Sequence, residues 1–178
     1  EGVGSLKEYG VFFEKTELHL GKFDYNSIEQ YLKNNKPKAV FIQRSRGYSA
    51  RDAFTVEDLK EAISFVKRLK KDVIVIVDNC YGEFVERDEP TDVGADIIIG
   101  SLIKNPGGGM AETGGYLAGT KKVIELCSYR LTCPGIGTEC GATLGQNKNM
   151  YKGLFYAPHT VCQSLKTAIL ASQVYKDL

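Results

Sequence analysis

Three stretches of this 178-residue chain place polar side chains of distinct chemistry directly after apolar runs. Gln43-Arg44-Ser45-Arg46 follows Ala39-Val40-Phe41-Ile42, Asp78-Asn79-Cys80-Tyr81 follows Val73-Ile74-Val75-Ile76-Val77, and Gly100-Ser101-Leu102-Ile103-Lys104 follows Ile97-Ile98-Ile99. An aspartate at the end of a fully apolar strand is costly to bury as an anion unless a cation faces it. Lys104, a few residues beyond the next apolar run, can supply that cation directly, as an ion pair with Asp78. The same two residues can instead hold a cationic ring between them, with Asp78 on a protonated ring nitrogen and Lys104 bonded to the ring's aldehyde. That is the lysine and carboxylate pair of a pyridoxal phosphate site. Spacing alone leaves both arrangements open.

The neighbours favour the ring. A phenol at Tyr81 can hydrogen-bond a ring oxygen, Cys80 is small enough for a flat ring to pack over the strand end, and Ser101 offers a hydroxyl to a phosphate. The run Gly107-Gly108-Gly109 permits close backbone approach and positive φ. It lacks the P-loop order of glycines followed by Lys and Ser or Thr, and it precedes a strand pattern, so a nucleotide phosphate loop is not indicated. Arg44 and Arg46 can bind a carboxylate or the cofactor's oxygens, and Arg130 is a similar candidate; the plainer reading of each is a solvated loop arginine.

These residues need strands to end where they begin. The runs at 39–42, 73–77, 95–100 and 115–119 read as strands, and the second is β-branched throughout without alternation, as in a parallel sheet covered on both faces. Helical spacing covers 23–34, then 55–69 behind a capping box of Thr55 and Asp58, then about 120–129, then 161–175. The predicted architecture is α/β, a mostly parallel sheet with helices on both faces and ligands bound beyond the strands' carboxyl ends.

Composition narrows the function. With 43% hydrophobic and 25% charged residues the chain fits one soluble α/β domain over residues 1–178. The 23 Lys and Arg against 22 Asp and Glu give a net charge of +1, which removes the driving force for nucleic acid or an acidic membrane surface. The apolar runs are far shorter than a membrane span. The basic cluster Lys67-Arg68-Lys70-Lys71 lies at a helix carboxyl end, where cations are favoured and solvated. Five cysteines without a C-x-x-C pair are expected to be reduced thiols in a cytoplasmic protein, and His19 and His159 lack ligand-spaced partners, so no metal site is expected. The chain opens on Glu1 without a leader or a domain-opening element, the expectation being a fragment.

Longer motifs carry a resemblance. Val75-Ile76-Val77-Asp78-Asn79-Cys80-Tyr81-Gly82-Glu83-Phe84, Gly100-Ser101-Leu102-Ile103-Lys104-Asn105-Pro106-Gly107-Gly108-Gly109 and Thr113-Gly114-Gly115-Tyr116 resemble the methionine gamma-lyase-like family of pyridoxal-phosphate enzymes. These are cystathionine beta-lyase relatives often labelled aluminium-resistance proteins. Arg130-Leu131-Thr132, Pro134-Gly135-Ile136-Gly137, Gly153-Leu154-Phe155 and Ala157-Pro158-His159 are similar to it as well. The resemblance implies the large domain of the aspartate-aminotransferase fold (fold type I), in part. It makes Lys104 the Schiff-base lysine and Asp78 the ring-nitrogen partner, with Tyr81 near the ring's 3-oxygen and Ser101 near the phosphate; the residues themselves, apart from the resemblance, put Cys80 under the ring, Arg44 near the cofactor's oxygens, and Arg46 and Arg130 at the substrate. It implies elimination of a thiol from a sulfur-containing amino acid to give an oxo acid and ammonia, in a homo-oligomer with the active site near a subunit interface. By the same resemblance the upstream glycine-rich phosphate segment, the ring-stacking aromatic and the C-terminal small domain are absent from this chain. Another pyridoxal-phosphate reaction, such as amino transfer or γ-replacement, and a noncatalytic α/β module whose Asp78 and Lys104 simply pair, are the alternatives.

Overall fold

The carboxylate of Asp24 accepts hydrogen bonds from the amides of Asn26 and Ser27, both at 3.1 Å, and so starts the first helix two residues later than its apolar spacing does. In this computed structural model, which describes residues 2–141 and 143–178, that helix is α1 (Tyr25–Asn34). It follows a two-stranded hairpin, β1 (Leu18–His19) and β2 (Lys22–Phe23). Glu1, on which the chain opens, lies outside the described residues.

The main sheet begins with β3 (Ala39–Gln43), α2 (Val56–Leu69) and β4 (Ile74–Asp78). β3 and β4 pair in parallel, in register from Ala39 opposite Ile74 to Gln43 opposite Asp78, with α2 as the crossover. α2 opens on the capping box read from the sequence, Thr55 and Asp58 bonding each other's amides. Its stripe of Val56, Leu59, Ala62, Ile63 and Val66 is buried. Leu32 of α1 joins Leu59, Ile63 and Val66 against Val73, Val75 and Val77 to form the core.

β5 (Ile97–Ser101) adds to β4 in parallel, and β6 (Gly115–Gly119) adds to β5 antiparallel, giving the order β3-β4-β5-β6. The chain is a mixed α/β fold with a parallel-dominated sheet. The loop from β5 to β6, which holds the short turn at Asn105–Gly107, brings the last strand back in the opposite direction. Full cover is found on one face only: Val75 and Val77 are wholly buried under the helices, whereas Ile74 and Ile76 are half-buried. The expectation of helices on both faces is corrected to that extent, because unbroken β-branching reports strand propensity as well as burial.

α3 (Lys121–Ser128) follows β6, and α4 (Asn147–Asp177) runs for 31 residues through Pro158. The apolar spacing indicates this helix only from Val161; its first turns are set by contact. Gly153, Ala157 and Val161 are its buried positions, and they pack on the loop at Asn105–Gly107 just after Lys104. A Cβ on Gly153 would fall on the carbonyl oxygen of Gly107, and one on Gly108 would fall on that of Gly153. The glycine run therefore serves backbone-to-backbone packing. Among the described residues no helix is long and apolar enough to cross a membrane.

Candidate active site

The turn after β4 carries Asp78, Cys80 and Tyr81. Asp78 is half-buried and accepts the amide of Cys80 at 3.0 Å, an Asx-type bond that folds the chain back at the strand end. The amide of Asn79 bonds the carbonyl of Ile99 on β5 at 2.9 Å, and that of Gly82 the carbonyl of Asn79 at 2.8 Å. Tyr81 has φ 69° and Phe84 φ 61°, a left-handed backbone in two bulky residues. Such conformations persist where surrounding contacts over-determine them, and they cluster at functional turns.

Those contacts lie beneath the turn. Arg44 is 3% exposed, and each of its guanidinium nitrogens has a protein acceptor. Nε donates to the carbonyl of Phe54 at 3.2 Å, Nη1 to Asn79 Oδ1 at 2.8 Å and to the carbonyl of Gly82 at 3.1 Å, and Nη2 to Glu86 at 2.5 Å. Asn79 is fully buried and donates to Glu89 at 2.8 Å. Gly82 is required here, since a side-chain carbon would strike the Arg44 guanidinium. Arg44, expected near the cofactor's oxygens, is thus committed to bracing the turn.

Lys104 reaches the turn from the end of β5. Its Nζ lies 4.4 Å from the centre of the Tyr81 ring, and Cys80 lies near enough to act on its charge. Asp78 lies close enough to act on it electrostatically, yet no ion pair within 4 Å joins the two. Partial burial pulls the Lys104 ammonium down; Cys80 first, then Tyr81 and Asp78, outweigh it and hold the amine above the ordinary lysine value. The Cys80 thiol is pushed up, first by burial and then by its hydrogen bond to Asp78. Ser101 Oγ accepts the amide of Ile103 at 3.3 Å, which leaves its hydroxyl proton to donate.

Four of the residues singled out by sequence, Asp78, Cys80, Tyr81 and Lys104, are brought together. Arg46 and Arg130 are exposed, and neither side chain makes a polar contact with the other four. Not singled out were Asn79, Glu86 and Glu89, which meet Arg44, and Glu83, whose carboxylate accepts the phenol of Tyr116 at 2.8 Å and whose backbone carbonyl accepts Nδ2 of Asn105 at 3.0 Å. A faint signal existed: Glu83, Glu86 and Glu89 recur every third residue after a strand-end turn, as a set of acids that one buried arginine can organise.

The family model described as methionine gamma-lyase matches residues 1–178. The uncharacterised protein YnbB of Bacillus subtilis is 51% identical over 179 residues, 100% of this chain and 42% of that protein. A carbon-sulfur lyase involved in aluminium resistance from Clostridium novyi NT is 52% identical, with a TM-score of 0.92 over 99% of this chain and 42% of that one. A candidate cystathionine beta-lyase involved in aluminium resistance from Listeria innocua is 54% identical, with a TM-score of 0.85 over 90% of this chain and 40% of that one. The pyridoxal-5'-phosphate dependent protein YhfS of Escherichia coli, 19% identical with a TM-score of 0.61 over 83% of this chain and 38% of that one, shares the fold. The chain thus spans about two fifths of the length of these relatives. On the match along its whole length, the chain belongs to the methionine gamma-lyase family.

Proposed function

We propose that the full-length protein is a pyridoxal-phosphate-dependent carbon-sulfur lyase of fold type I, and that this chain carries its lysine and its ring-nitrogen acid. The observation that carries the reading is Lys104 meeting Cys80 and Tyr81 beside Asp78, at the ends of adjacent parallel strands, without a direct Asp78–Lys104 ion pair. The residues fit the cofactor: an acid and an amine stand near each other unpaired, a small thiol lies between them, and a hydroxyl at Ser101 has a proton to donate. The C. novyi relative is named as a carbon-sulfur lyase, and the E. coli protein of the same fold as pyridoxal-phosphate dependent.

When bound, the cofactor supplies an electron sink for negative charge at the α-carbon of an amino acid. Asp78 holds a proton at the ring nitrogen, which keeps that sink effective. Lys104 would hold the cofactor through its amine and, with that amine free and neutral, would serve as the base for the α-proton. The amine must be neutral for either task. Once the Asp78 charge is met by a cationic ring nitrogen, one of the influences holding Lys104 charged is cancelled. Tyr81 orients the ring's 3-oxygen and Ser101 the phosphate. Arg44 acts through Asn79 and the turn, and Arg46 and Arg130 remain for a substrate carboxylate. Loss of a thiol from the side chain of a sulfur-containing amino acid would leave an unsaturated amine, which water hydrolyses to an oxo acid and ammonia. The working form is a homo-oligomer with the site near a subunit interface.

The test is a visible absorption spectrum of the full-length protein after addition of pyridoxal phosphate, followed by borohydride reduction and peptide mapping. A reduced adduct on Lys104, lost in Lys104→Ala, is expected, with thiol, oxo acid and ammonia released from a thioether amino acid. No adduct on Lys104 overturns the cofactor reading. Amino-group transfer without thiol release overturns the lyase.

A further inference from the structure

Tyr81 owes its place beside Lys104 to its backbone. Its side chain is 61% exposed, and a φ of 69° is a left-handed conformation that a bulky residue adopts only where neighbouring contacts impose it. Phe84, with φ 61°, closes the same turn. At the centre of the imposing contacts is the wholly buried side chain of Asn79, the residue between Asp78 and Cys80.

Both ends of that side-chain amide are used. Its Oδ1 accepts Nη1 of Arg44 at 2.8 Å, and the same nitrogen donates to the carbonyl of Gly82 at 3.1 Å. Its Nδ2 donates to Glu89 Oε2 at 2.8 Å, and the other oxygen of that carboxylate accepts the amide of Phe84 at 2.9 Å. Through one partner each, the two halves of the Asn79 side chain thus reach the backbone on the far side of Tyr81, at Gly82 and at Phe84. The main chain of Asn79 completes the frame, its amide bonding the carbonyl of Ile99 on β5 at 2.9 Å and its carbonyl accepting the amide of Gly82 at 2.8 Å. A donor on one side, Arg44, and an acceptor on the other, Glu89, call for an amide between them. Aspartate would set a second carboxylate against Glu89, and an aliphatic residue would leave both bonds unmade in a buried setting.

We propose that Asn79 is a positioning residue of the site, whose side-chain amide clamps the turn from Asn79 to Phe84 and so fixes the Tyr81 ring beside the Lys104 amine. This rests on the cofactor reading of Asp78, Tyr81 and Lys104. The amide acts through Arg44 and Glu89, and its bond to Glu89 has a direction that can be reversed. In the double variant Asn79→Asp/Glu89→Gln the carboxylate accepts both from Arg44 and from the new amide, whose oxygen still accepts Phe84, and the charge of the cluster is kept.

Wild type, Asn79→Asp, Glu89→Gln and Asn79→Asp/Glu89→Gln are compared in the full-length protein. Two quantities are read: amide hydrogen exchange at Gly82 and Phe84 without cofactor, and the pyridoxal phosphate concentration that half-saturates borohydride trapping on Lys104. Each single variant is expected to speed exchange at those two amides by more than at Val75 and Val77, which register any loss of global stability. Each is also expected to raise the half-saturating concentration, by about tenfold or more in Asn79→Asp, and the double variant to return it to within about threefold of wild type. If Asn79→Asp does not fold, Glu89→Gln and the double variant decide on the same two readings. Wild-type trapping by the folded single variants, exchange that quickens equally at Val75 and Val77, or a double variant that fails to fold or traps no better than the single ones overturns the proposal. A wild type that traps nothing on Lys104 overturns the cofactor reading and this inference with it, whereas a trapping wild type whose variants trap equally well overturns this inference alone.

Discussion

Lys104 is held charged by neighbours that a bound ring would re-engage, so its proton affinity is the most informative property of any single residue here. Removing one of those neighbours has a definite direction. In Asp78→Asn, the Lys104 amine is expected to lose its proton at lower pH, read as faster acylation of Lys104 in the cofactor-free full-length protein at a fixed pH below the lysine range. The same variant is expected to retain some cofactor capture while turnover falls by orders of magnitude; unchanged kinetics would show that no ring nitrogen is held there. Arg44 gives a contrasting prediction. Arg44→Ala strands Glu86, Glu89 and Asn79 without their donor, and a loss of about 3–5 kcal/mol in denaturant unfolding is expected, with no recovery in Arg44→Lys. Asp78, Cys80, Tyr81 and Lys104 were legible because polar residues directly after apolar runs are conspicuous. The contacts of Arg44, Glu83 and Tyr116 were not, because burial of a charged side chain depends on partners distant in sequence.

Among the elements, α2 was readable to within a residue because its cap, stripe and basic last turn agree. Thr55→Ala removes the cap's hydroxyl acceptor, and a loss of about 1 kcal/mol in unfolding free energy is expected. Burial raises the partner carboxyl of Asp58, but hydrogen bonds from Thr55 and from Lys22, at 3.2 Å in the latter, more than offset it and hold the carboxyl below its ordinary value. That stabilisation is present above the unfolded-state value and is lost as pH falls through the depressed one, so the pH slope of stability in acid is expected to flatten in Thr55→Ala. Two other elements were not readable. The reversal of β6 is set by the path of the loop after β5, which strand patterning does not encode, and the start of α4 at Asn147 depends on seating against another loop. Pro158 within it costs a helical hydrogen bond, a local penalty set against the burial of Gly153, Ala157 and Val161.

At the scale of the molecule, the site stands between two supports: the core of α1, α2 and β4 behind Asp78, and α4 behind Lys104. Gly153→Val is expected to lift α4 off the glycine run, seen as faster amide hydrogen exchange at Asn105–Gly107 and reduced trapping on Lys104, with exchange in the strand core unchanged. Protection at Asn105–Gly107 equal to wild type would show that the glycine contact does not hold the loop. The same contact bears on biosynthesis. A ribosome releases Lys104 and its glycines before any of α4, so during synthesis the lysine rides on an unpinned loop while β3, α2 and β4 can already pair. Contacts between segments distant along the chain wait on those between near ones. The support under the Lys104 loop is therefore complete only once the stretch from Gly153 to Val161 has left the ribosome and docked, about fifty residues after the lysine itself.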